Sequence, residues 1–180
     1  MKMADVRKLA PRLLISLLPL SGATPALSQS SPTESLTAER MWSLVRLGDT
    51  DISPDGRLAV VTVTQFDVKE NKGATDLWLF STDGKTSRRL TSDKATDSAP
   101  RFSPDGSLIA FVSKRGDDEE AQIYVIPVDG GEAQRLTDVP TGANAPKWFP
   151  DGRKIAFASP IWIDLVRWED QEKRLKEREK

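Results

Sequence analysis

The 180-residue sequence contains no cysteine and no histidine. Without cysteine there is no disulfide framework, no thiolate nucleophile and no thiolate metal site. Without histidine the commonest general base and the commonest zinc ligand disappear together. Neither sign of charge dominates: 26 Lys and Arg face 27 Asp and Glu, for a net −1. Such a balance gives no electrostatic basis for binding nucleic acid or an anionic membrane surface. A Gly-x-Ser-x-Gly elbow is missing, as is a Ser-x-x-Lys pair, so nothing here builds a catalytic serine. Gly84-Lys85-Thr86 resembles the tail of a phosphate loop, but Leu79 stands where that loop requires glycine. No catalytic residue, cofactor or metal is therefore expected in this chain.

Long hydrophobic runs are also scarce, and the single short one lies at the N-terminus. Lys2, Arg7, Lys8 and Arg12 precede Leu13, Leu14, Ile15, Leu17, Leu18 and Leu20, a run too short to span a bilayer. Ala26-Leu27-Ser28 places small residues before Gln29, so residues 1–28 read as a cleavable secretory signal. The expectation is an exported protein, periplasmic or secreted, with no membrane association after cleavage. Residues 29–48 then read as a polar spacer followed by a short helix. Thr37 is its N-cap, Glu39 sits in its first turn, Leu36 and Met41 form a hydrophobic staple, and Gly48 is its stop.

What the sequence does have is an internal repeat. Ile52-Ser-Pro-Asp-Gly56 recurs as Phe102-Ser-Pro-Asp-Gly106 and again as Trp148-Phe-Pro-Asp-Gly152. The turn residues are Pro54, Asp55, Gly56, then Pro104, Asp105, Gly106, then Pro150, Asp151, Gly152, with Asp-Gly intervals of 50 and 46 residues. Proline fixes φ, Asp bonds back to the backbone and Gly takes positive φ, so each set predicts a tight turn. Asp76-Leu-Trp-Leu-Phe80 matches Gln122-Ile-Tyr-Val-Ile126, and Arg88-Arg-Leu-Thr91 matches Gln134-Arg-Leu-Thr137. In the middle unit the strands are expected near 99–103, 107–113, 122–128 and 132–136.

Four antiparallel strands per repeat of this length make the blade of a β-propeller. Residues 49–160 are thus expected to be an all-β, incomplete propeller of two and a half to three blades, near 52–91, 99–137 and 145–160. Propellers close with ~4–8 blades. If each open end left on the order of 500 Å² of apolar surface wet, the loss at ~25 cal/mol per Å² would be about 12 kcal/mol. A whole domain is stable by only ~5–15 kcal/mol, so the expectation is that the chain is a piece of something longer or completes its ring by self-association. Residues 161–180 are rich in charge and predict a solvated helix, read as truncated. Asp117-Asp118-Glu119-Glu120 reads as a solvated hairpin tip.

Together these features resemble the prolyl oligopeptidase family in its bacterial acylaminoacyl-peptidase and dipeptidyl-peptidase-like branch. The resemblance rests on Leu36-Thr-Ala-Glu-Arg-Met-Trp42, the Ser-Pro-Asp-Gly turns and Ala145-Pro-Lys-Trp-Phe-Pro-Asp-Gly152. It implies a C-terminal α/β-hydrolase domain and further blades as missing partners. It further implies that the complete propeller gates peptide substrates. The Ser-Pro-Asp-Gly turns by themselves also resemble TolB-like propellers, which implies the alternative of a periplasmic, non-enzymatic protein-binding scaffold.

Overall fold

The computed structural model describes residues 35–178, so the expected signal at 1–28 lies outside the described residues. A single turn of helix, α1 (Ala38–Trp42), opens them. Thr37 caps it by accepting the Arg40 N–H on its hydroxyl at 3.2 Å. The helix ends sooner than the sequence suggests, with Ser43 as its C-cap. Arg46 to Ile52 already form strand β1, and Gly48 lies inside it instead of stopping the helix. The reason is an available partner. Strand β2 (Leu58–Asp67) pairs Arg46 with Thr64 and Leu47 with Val63, which draws this segment into a ladder. Glycine is needed at 48 because a Cβ there would lie 2.6 Å from the Thr62 hydroxyl.

Strands β1, β2, β3 (Lys72–Ser81) and β4 (Ser87–Arg89) form one antiparallel sheet in sequence order. Strands β5 (Ser98–Phe102), β6 (Leu108–Ser113), β7 (Gln122–Pro127) and β8 (Gln134–Arg135) form a second of the same order. A third sheet has two strands, β9 (Asn144–Trp148) and β10 (Ile155–Ala158). The fold is therefore an open propeller-like wedge of two blades and a half, followed in sequence by the charged helix α2 (Trp168–Arg178).

Period-two burial explains why the blades stack. On β6, Ile109 and Phe111 face the first blade and pack with Val60, Leu77 and Leu79. The alternate residues Ala110 and Val112 face the third sheet and pack with Ile123, Val139 and Ala143. Both faces of the middle blade are apolar, as a sheet covered on two sides must be.

The neighbouring sheets share no ladder; side-chain hydrogen bonds tie them, beside a backbone bond from the Asp97 N–H to the Thr75 carbonyl at 3.0 Å. Asp49 Oδ2 accepts the Ala99 N–H at 3.0 Å, and Asp51 Oδ2 accepts the Phe102 N–H at 2.8 Å. Trp148 Nε1 donates to the Arg101 carbonyl at 3.0 Å. Strands β1, β5 and β9 thus lie side by side as the inner strands. Each carries a register shift against its partner, and Ala99 and Ala145 sit there at φ 49° and 50°.

Candidate functional site

The meander sorts its connections onto two ends of the wedge, and the three Pro-Asp-Gly turns share one of them. Gly56, Gly106 and Gly152 have φ of 72°, 73° and 67°, and nothing but glycine adopts this without strain. Each turn rests on the one before. A Cβ at Gly106 would lie 3.5 Å from Pro54 Cδ, and one at Gly152 would lie 3.8 Å from Pro104 Cδ. Within the second turn, Ser103 Oγ donates to Asp105 Oδ1 at 2.5 Å and accepts the Leu108 N–H at 2.9 Å. Ser107 adds its N–H and its hydroxyl to the same carboxylate. These donors, led by Ser103, hold the Asp105 carboxyl down at about 2. Ser53 and the Arg57 N–H lower Asp55 in the same manner. Phe149 replaces the serine in the third turn, which keeps the backbone bonds from Phe149 to Lys154 and from Gly152 to Phe149, and the Arg153 N–H donates to Asp151 Oδ1 at 3.0 Å. Every carboxylate in these turns is engaged by its own loop, so their geometry is structural.

The opposite end gathers the charge that chemistry would use. Asp97 is fully buried and takes the Arg115 Nη2 on both carboxylate oxygens at 2.8 Å. Arg115 lies over the rings of Phe111 and Tyr124, 5.0 and 5.4 Å from their centroids. Asp76, also buried, pairs through Oδ2 with Arg89 at 2.7 Å, while its Oδ1 has no hydrogen-bond partner. Burial, the largest influence, raises the Asp76 carboxyl above its ordinary value against the pull of Arg89.

The acidic run 117–120 is not uniformly solvated, which corrects the reading of a hairpin tip in water. The Asp118 side chain is buried, accepts the Tyr124 hydroxyl at 2.6 Å and pairs with Arg135 at 3.0 Å. Burial and this carboxylate push Tyr124 up to about 12. The other acids open onto a cleft of about 540 Å³ between this loop and α2, lined by Asp117, Glu119, Glu120, Trp168, Glu169 and Glu172.

Sequence reasoning missed the Asp97–Arg115 and Asp76–Arg89 pairs. The repeat held a usable signal: Asp76 and Gln122 occupy one position, and Arg89 and Arg135 another. Gln122 is fully satisfied, its amide bonded to Val139 N–H and carbonyl and to the Thr137 hydroxyl. An acid in its place keeps one oxygen over. Each of these carboxylates is held by a named partner, Asp97 by Arg115, Asp76 by Arg89 and Asp118 by Tyr124 and Arg135, so the clusters fix charge within the blades.

Comparison with known proteins agrees with this picture. Residues 70–162, 93 of the 180, match the family model described as the tricorn protease N-terminal beta propeller domain. The chain is 32% identical over 110 residues to dipeptidyl-peptidase 5 of Porphyromonas gingivalis, covering 61% of this chain and 16% of that protein. The structure of a putative TolB from Agrobacterium tumefaciens superposes with a TM-score of 0.51 at 29% identity, over 63% of this chain and 39% of that one. Pyrococcus horikoshii acylaminoacyl peptidase gives 0.55 at 20% identity, over 72% and 21%, a likeness of fold. The chain thus spans a minor part of each of these relatives.

Proposed function

The chain belongs to the tricorn protease N-terminal β-propeller family, and from that premise we propose that it is the leading, non-catalytic part of the access propeller of an exported serine-type peptidase. In this reading residues 1–28 direct export. The blades described above, with further blades elsewhere in the polypeptide, form the ring through which peptides reach an α/β-hydrolase domain. The reading fits the dipeptidyl-peptidase and acylaminoacyl-peptidase likenesses. Its main support is one observation: two four-stranded blades and a two-stranded third sheet fall short of the ~4–8 blades that close a ring. Binding and gating are what such a part can contribute.

The test uses the native polypeptide that contains this chain. A fluorophosphonate probe is expected to label one serine outside residues 1–180. Purified residues 29–180 are expected to remain unlabelled and to leave aminoacyl and peptidyl esters intact. Stoichiometric labelling of residues 29–180 would overturn the assignment. A second reading, a TolB-like scaffold, is favoured by the 29% identity to the putative TolB structure. It requires that the native polypeptide take no label and that it retain protein partners.

A further inference from the structure

The outer edge of β10 is open and bordered by an apolar groove of about 520 Å³. The groove is lined by Val125, Leu136, Trp148, Phe149, Ile155 and Phe157, of which Leu136, Phe149 and Phe157 remain 52%, 46% and 40% exposed. The Phe149 N–H donates to the Lys154 carbonyl at 2.9 Å. Alternation from there turns the N–H and C=O groups of Ile155 and Phe157 away from β9 and toward the open side.

The two complete blades show what belongs in this slot. There β3 lies against β2 and β7 against β6, with sequences Asp-Leu-Trp-Leu-Phe and Gln-Ile-Tyr-Val-Ile. In the repeat frame Phe157 corresponds to Val61 and Phe111, which face Trp78 and Tyr124 across the ladder. Ile155 corresponds to Ala59 and Ile109, which face Phe80 and Ile126. Among the described residues no strand fills the slot. Gln122 advanced by the 46-residue interval falls on Trp168, where α2 begins.

We propose that β10 is a strand-addition site. Its occupant is an extended segment of the same repeat, polar–aliphatic–aromatic–aliphatic–apolar, antiparallel to β10 with its aromatic residue opposite Phe157. The segment comes from polypeptide outside the 180 residues, and the proposal rests on the propeller reading above. Backbone pairing supplies the affinity and the groove supplies the choice of side chains.

The test adds a synthetic peptide with the sequence of residues 120–129 to the 180-residue chain. Binding is followed by Trp fluorescence and by amide hydrogen exchange. The expected result is saturable binding that slows exchange at Ile155 and Phe157 and leaves Ala156 unchanged. N-methylation of the peptide amides that face β10 is expected to abolish binding, and N-methylation of the alternate amides to spare it. Phe157→Lys is expected to weaken binding about tenfold or more, the scale of one buried aromatic side chain. Equal binding of a scrambled peptide, indifference to N-methylation, or no binding would each overturn the proposal. None of these outcomes bears on whether the native polypeptide carries a labelled serine, so the two readings fail separately.

Discussion

At the scale of single residues, the Ser-Pro-Asp-Gly turns show how a short motif closes its own hydrogen-bond account. Ser103 serves Asp105 and the Leu108 N–H at once. Ser103→Ala strands a buried backbone donor and is expected to destabilise the chain by ~1–2 kcal/mol, read as a lowered urea midpoint. Two carboxylates titrate in opposite senses. Asp105 is held near 2 in the fold, so what it contributes is present above the ordinary carboxylate value and fades as pH falls from about 5 toward 2. Asp76 is raised, so the fold takes up its proton at a higher pH than the unfolded chain does. Acidification from neutrality is therefore expected to favour the wild type relative to Asp76→Asn, which has no proton to gain. Thermal denaturation of both proteins between about pH 7 and 4 checks the sign. The turns were legible because three copies announced them. The ion pairs were not, because Asp97 and Arg115 stand 18 residues apart in sequence and meet only once β5 has paired with β6.

At the scale of elements, the unequal repeat intervals acquire an explanation. Residue 55 to residue 76 is four steps longer than residue 105 to residue 122, while Leu90 to Leu136 keeps 46 residues. The surplus lies in the β2–β3 hairpin, whose strands have ten residues each against six in β6 and β7. The longer hairpin receives α1. Phe66 fits over Gly73, where a Cβ would lie 2.9 Å from its ring, and meets Trp42 edge-on at 5.4 Å. Arg46 lies against both rings, 4.6 and 5.4 Å from their centroids. Phe66→Ala removes this seat, and hydrogen exchange is expected to accelerate in residues 38–46 with the blades unaffected. Helix and strand boundaries here were hard to read because Leu44 and Val45 suit either period, and only the β2 partner decides.

At the scale of the whole molecule, the blade count and order were legible in the sequence, since repetition survives where local propensity is ambiguous. The cleft beside α2 was not, because its walls lie some 50 residues apart in sequence. The inner strands β1 and β5 are joined by two carboxylate hydrogen bonds. Replacing both Asp49 and Asp51 by Ala leaves the Ala99 and Phe102 N–H groups without their acceptors. The two blades are expected to lose cooperativity, seen as non-coincident unfolding of tryptophan fluorescence and far-ultraviolet circular dichroism.

Because those carboxylates bridge sheets that have no ladder in common, each blade is a self-contained cassette. Nothing in one sheet dictates the pleat of the next, and a tandem duplication of residues 98–143 needs only to present the same aspartates and the same proline-edged corner. Ring size in such a polypeptide can then change by whole units during descent without any strand having to find a new register.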